Sequence, residues 1–292
     1  MGPAESATPL CVGASIPGGD AQRSAPLFPS VFPSRTPAQE TREKQVRDKR
    51  RQTLYTIERT YTLLLEVKDI EKKFLQVPES ERPALLEVRK AKIAQIYENL
   101  RGKQSDRPSD EHFVQIMCIG KGKRLTARVL GMLGTEQASS VLLATARNLP
   151  LLARKDSQDE VLPSLTEPCT HLVSRLPSAA LTELLQQLTE GPGNHFFSVL
   201  QNKFGLTLFY TILSQGERLQ VSETASELMQ DNRWTELVFA VTRELLRVPQ
   251  ASLATPSFMP ANLLALFSHY VDRQRLTVLE SKLGLGLSVN PR

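Results

Sequence analysis

Two clusters of cationic side chains, Arg42-Lys44-Arg47-Lys49-Arg50-Arg51 and Lys121-Lys123-Arg124-Arg128, are the residues whose type and spacing best suit a chemical task. Guanidinium and ammonium groups neutralise phosphates and release counterions, which gives affinity without reading a base sequence. The second cluster opens on Gly120-Lys121-Gly122, and reads as a flexible basic turn at a helix N-terminus, where backbone donors and the helix dipole also favour phosphate. It is not a nucleotide-binding loop. That pattern needs four residues between its glycines and a Ser or Thr after the Lys, whereas one residue separates these glycines and Arg124 follows Lys123. The ordinary alternative for either cluster is a solvated helix face.

No other constellation competes. His112, His171, His195 and His269 are scattered, and none stands four residues from another His or near a pair of Cys, so no metal site and no cofactor is expected. His112 and Cys118 share one short segment and read as a surface His and a buried thiol. The carboxylate pair Asp159-Glu160 reads as charge complementing a helix N-terminus. With no nucleophile elbow or kinase signature, no catalytic residue is expected.

The charge is unevenly spread. Residues 41–130 carry 21 Lys and Arg against 13 Asp and Glu, while residues 131–292 carry 13 against 15. A basic first half on a slightly acidic remainder suits one face that meets a polyanion. Only 6% of residues are aromatic, so no sheet-borne stacking platform is suggested and contact with a single-stranded nucleic acid should be mainly electrostatic. Cys11, Cys118 and Cys169 are odd in number and far apart, which favours a reducing, cytoplasmic setting over a disulfide framework. No apolar stretch is long and uncharged enough to cross a bilayer.

The elements that must carry these side chains read as helices throughout. Residues 1–40 hold seven of the 19 prolines and no helical period, so a disordered lead-in is expected, with folding from about Thr41. From Arg42 to Val77, the residues Ile57, Tyr61, Leu64, Val67, Ile70, Phe74 and Val77 recur at three- and four-residue steps. A second helix from Glu81 repeats the period with Leu85, Leu86, Ile93, Ile96, Tyr97 and Leu100, closes at Gly102, and should lie antiparallel to the first. Ser109 or Asp110 suits an N-cap before Phe113, Ile116 and Met117, and a helix over 135–148 follows Gly134. The remaining prolines fall mostly near helix ends. The pattern predicts an all-α chain stacked as an α-α superhelix of the HEAT or armadillo kind, with a compact bundle as the alternative, over residues 41–285 and ahead of a flexible tail at 286–292.

Several longer blocks go further: His112-Phe113-Val114-Gln115-Ile116-Met117-Cys118-Ile119, Thr145-Ala146-Arg147-Asn148-Leu149-Pro150, Val199-Leu200-Gln201-Asn202-Lys203-Phe204-Gly205 and Thr242-Arg243-Glu244-Leu245-Leu246-Arg247. Over roughly residues 42–283 the sequence resembles the C-terminal domain of the PAT family of messenger RNA decay factors, and its details are closer to the oocyte-type translational repressor in a short form. The resemblance implies an α-α superhelix that binds single-stranded mRNA and docks an Lsm ring and leucine-rich tail motifs of the decapping enzyme. It implies residence in the cytoplasm, in mRNP granules or P-bodies. It puts Arg50, Arg51 and Arg124 on RNA-contacting positions, so the expected contact set is Lys49, Arg50, Arg51, Lys121, Lys123, Arg124 and Arg128. Gly120 stands where another basic residue is expected. The family's acidic segment for recruiting a helicase is absent from this sequence, which implies that helicase recruitment is lost. A protein-only adaptor for leucine-rich motifs is the other reading.

Overall fold

The computed structural model describes residues 37–102, 109–158, 160–221 and 232–284. The chain divides into a unit Met1–Lys44, of which the described part is helical, and a unit Gln45–Arg292 that holds the core. The expected lead-in up to residue 36 and the tail 286–292 lie outside the described residues. Helix begins at Pro37 rather than Thr41, since a proline in the first turn forfeits no intrahelical donor and fixes a helical φ in advance.

Among the described residues there are twelve α-helices and no strand: α1 Pro37–Phe74, α2 Arg82–Arg101, α3 Glu111–Met117, α4 Gly120–Val129, α5 Thr135–Asp156, α6 Thr166–Val173, α7 Ser178–Thr189, α8 His195–Leu200, α9 Lys203–Val221, α10 Asn232–Arg247, α11 Leu263–Ser268 and α12 Arg273–Lys282. Short 3-10 turns at Leu130–Met132 and Leu162–Leu165 link α4 to α5 and α5 to α6. Within the second unit α5 packs on α7 and α8, α7 on α9, α9 on α6 and α11, and α12 on α10 and α11. Helices therefore meet mostly near neighbours in chain order, which is the all-α solenoid arrangement the periodicity predicts.

The antiparallel pairing of α1 and α2 is written in their bridges. Thr60 Oγ1 accepts from Asn99, Glu66 pairs with Lys92 and Glu71 with Arg89, so partners descend α2 as they ascend α1. Beneath them Ile57, Leu64, Val67, Ile70, Ile93, Ile96 and Leu100 are buried on the predicted stripe. Leu86 departs from it and is 48% exposed, because it lies in the first turns of α2, where the hairpin has little to pack against it. Gly102 ends α2 at φ 80°, a conformation that costs other residues a Cβ clash.

Pro150 is the exception to the rule of prolines at ends. It sits inside α5, which runs on to Asp156, well beyond the expected stop at 148. Proline there leaves the carbonyl four residues back, that of Ala146, without its helical donor, and the buried imidazole of His195 lies against the carbonyls of Ala146 and Leu188. Burial lowers the His195 pKa, and those carbonyls only partly offset it. At the far end the ammonium of Lys282 donates to the carbonyls of Leu245, Leu246 and Val248, closing the C-terminus of α10 with a cation that suits its dipole. Burial draws the Lys282 pKa down.

Cys118 and Cys169 are unbridged, and Cys11 lies outside the described residues. Burial pushes the Cys169 thiol up to about 12, while Cys118 is only half-buried rather than fully buried as expected. Among the described residues no group of His, Cys, Asp or Glu could hold a metal, and no helix is long and apolar enough to cross a membrane.

Candidate nucleic-acid interface

On α4, steps of three and four residues bring Lys121, Arg124 and Arg128 onto one ridge, and all three are exposed. The opposite side holds Gly122, Lys123, Thr126 and Leu130, which are buried. The expectation of a loose basic turn is corrected here. Gly120 and Gly122 lie in the first turn of the helix itself, with Ile119 as its N-cap. Gly122 serves packing rather than phosphate approach: a Cβ there would lie 2.1 Å from the carbonyl oxygen of Ile116. The missing side chain lets α3 and α4 close on each other.

Lys123 is the second correction. Expected among the solvent-facing cations, it is fully buried, with its Nζ 2.6 Å from Asp156 Oδ1. The contact is ionic, and among the described residues the ammonium has no other polar partner. Asp156 is also a cap. Its Oδ1 accepts the N–H of Val161 at 3.0 Å and its Oδ2 that of Leu162 at 2.8 Å. Glu160, at φ 46°, turns the chain so that both donors face the carboxylate. Its role is this turn between α5 and the 3-10 segment, not the helix N-terminus expected of Asp159-Glu160, and Asp159 itself lies outside the described residues. The 3.6-residue period already separates Lys123 from Lys121 and Arg124, and puts it with Thr126 and Leu130; reading the cluster as linear hid this.

Tyr61 of α1 fixes the second cluster against the helix that carries the exposed Arg50 and Arg51. Its hydroxyl donates to the carbonyl of Lys121 at 3.2 Å, and its ring carries Lys121 Nζ at 5.4 Å and the Arg128 guanidinium at 5.8 Å from the centroid. Lys121 also pairs with Glu58. About three turns earlier on α1 stands Arg51, next to Arg50 in the chain, both exposed. Lys49 reaches the other flank of α1, 3.8 Å from Glu111 of α3. Arg50, Arg51 and Arg124 therefore face solvent with no ion pair among the described residues, while Lys49 and Lys121 carry acidic neighbours. Arg124 and Arg128 also line a groove of about 620 Å³ with Ser164, Glu167, Pro168 and His171.

A hub that sequence reading missed fixes the frame below this ridge. Asp110 accepts from Arg101 at 2.9 Å, Arg147 at 3.0 Å and Asn148 at 2.9 Å, tying α2 and α5 to the start of α3. Its side chain is thereby diverted from capping, and Ser109 Oγ instead accepts the N–H of Glu111 at 3.1 Å. His112 donates from Nε2 to the carbonyl of Asn99 at 2.9 Å, a second tie between α3 and α2 in place of the expected free surface His. Burial raises the Asp110 pKa, but the guanidiniums of Arg147 and Arg101 outweigh it and hold the carboxyl below its ordinary 3.8. A lowered pKa means stability that is present above the ordinary carboxylate value and lost as pH falls through the lowered one. Asp110→Asn is therefore expected to lower the urea midpoint at pH 7, with the gap to the parent chain narrowing as the pH falls below about 3.8 towards 2. A gap unchanged over that range would mean that the charge of Asp110 contributes nothing.

The chain is 56% identical over 270 residues to Protein PAT1 homolog 1 of Pongo abelii, a match that covers 89% of this chain and 35% of that protein. It is 54% identical over 258 residues to Protein PAT1 homolog 1 of Danio rerio, covering 88% of this chain and 34% of that one. To Protein PAT1 homolog 2 of Xenopus laevis it is 34% identical over 232 residues, covering 77% of this chain and 32% of the relative. The chain thus spans about a third of the length of the curated relatives it matches. No family model matches the chain.

Proposed function

We propose that this chain, which belongs to the PAT1 family, grips single-stranded mRNA on the joined α1 and α4 surface and acts as a non-enzymatic scaffold in messenger RNA decay or translational repression. The observation that carries this reading is the run of cations that face solvent without acidic partners, Arg50 and Arg51 on α1 and Arg124 on α4, next to Arg128 on the Tyr61 ring. Such a surface tracks a phosphate backbone and does not read bases through hydrogen bonds. Lys49 and Lys121 lend field strength, though each must be drawn from its Glu partner, and Lys123 serves the fold alone. From the family resemblance come the further partners, an Lsm ring and leucine-rich motifs of a decapping enzyme, which would dock in the grooves of the helical stack away from the ridge. The grooved surface along α12, about 550 Å³ beside Thr277 and Val278, is of a size suited to such a motif.

The test is fluorescence anisotropy of the full chain with a labelled 15-nucleotide oligouridine across a salt series. Single strands lose affinity with salt at a log–log slope of about −0.7 per neutralised phosphate. Changing Arg51, Arg124 and Arg128 together to Ala is expected to weaken binding and to make the slope shallower by about 2. Binding and slope unchanged in that variant would remove the ridge from the interface. No binding by the parent chain, even at low salt, would favour the protein-only adaptor.

A further inference from the structure

Tyr55 is 68% exposed, an unusual place for a large ring that no neighbour uses. It lies one turn after Arg51 and one turn before Arg59, so steps of four residues set the ring between two exposed guanidiniums on one stripe of α1. The ring of Tyr61, by contrast, already engages Lys121 and Arg128, and its hydroxyl is spent on a carbonyl. Tyr55 has no hydrogen bond, cation or ring partner among the described residues.

We infer that Tyr55 is a base-stacking platform, at which an unpaired nucleobase lies on the ring while Arg51 and Arg59 hold the phosphates on either side. The inference rests on the RNA-binding reading above and deepens it: the ligand is single-stranded nucleic acid with accessible bases, not a duplex and not a bare polyanion. Charge selects this occupant over a protein one. An aromatic ring flanked by fixed cations offers a partner that is both anionic and planar two complementary surfaces at once, and a nucleotide carries both. The flanking arginines also polarise against the base, which strengthens stacking. Binding then has two parts, a phosphate part that salt weakens and a stacking part that it does not, so that stacking adds to the mainly electrostatic contact that the low aromatic content suggested.

The experiment compares oligouridine with an abasic ribose-phosphate oligomer of equal length, at one salt concentration, on the full chain and its Tyr55→Ala and Tyr55→Phe variants. Because Tyr55 is exposed, both variants should melt with the parent. Tyr55→Ala is expected to weaken oligouridine binding about 5- to 100-fold, with an unchanged salt slope and unchanged abasic binding, and Tyr55→Phe to restore it. Equal loss on both oligomers, or no loss on either, overturns the inference. A parent chain that binds both oligomers equally and with a steep salt slope would also overturn it, while leaving the phosphate-tracking reading intact. A parent chain that binds neither would remove both.

Discussion

Asp156→Ala is expected to destabilise the chain by about 3–5 kcal/mol, measured as the loss in urea-unfolding free energy at pH 7. Three groups lose their partner at once: the buried ammonium of Lys123 and the backbone donors of Val161 and Leu162. The ammonium decides the size. With no exposure and no second polar partner among the described residues, it has no route to water when its counter-charge is gone. Lys123→Met is expected to cost less, about 1–3 kcal/mol, because the carboxylate it leaves behind keeps two N–H donors. If Lys123→Met proves the worse of the pair, the capping role assigned to Asp156 is wrong. The same pair bears on the RNA experiment. A variant that includes Lys123 would lose RNA binding through unfolding, so only Arg51, Arg124 and Arg128 make a clean test.

Gly122→Ala is expected to cost about 3 kcal/mol or more, seen as a lowered thermal midpoint. The added methyl meets the backbone carbonyl of Ile116 at 2.1 Å, and a backbone atom cannot swing aside as a side chain can. Relief requires α3 and α4 to move apart, which would also carry Lys121 off Glu58 and Tyr61 and split the ridge. RNA affinity should therefore fall in the folded fraction, beyond what unfolding explains. Gly131→Ala is the control: a Cβ there meets nothing within 4 Å, and its effect should stay within about 0.5 kcal/mol. Similar losses in both variants would show that the α3–α4 approach does not set the cost, since helix propensity by itself favours alanine over glycine.

These two sites also mark where sequence reading succeeds and where it stops. The stripes of α1 and α7 were legible because apolar residues at three- and four-residue spacing have one stable arrangement, with that face inward. Leu181, Leu184, Leu185 and Leu188 are buried as that rule requires. Lys123 was misread because composition counts charges without direction, whereas its 3.6-residue phase groups it with Thr126 and Leu130. Asp156 could not be anticipated as its partner, since the two lie 33 residues apart in sequence and nothing local marks a pair made by packing α4 on the end of α5. Pro150 was misplaced because the local rule considers only the lost donor and not a His195 arriving from elsewhere. Asp110 was read as a cap, the common fate of Asp before a helix, until three donors from two other helices claimed it. The exposed arginines were legible as type and spacing. That Tyr61 holds α4 against the helix bearing Arg50 and Arg51 was not.

The Asp110 hub also bears on how this stretch of chain can change over evolutionary time. Arg101 and Asp110 bracket residues 103–108 and are bonded to each other, so the segment between them starts and ends at one fixed latch. A longer connection would still start and end at that latch, and each doubling of a connection's length adds only about 0.6 kcal/mol of closure entropy. Such lengthening would leave the register of α2 on α3 in place, whereas a change at Asp110 is felt on three helices at once.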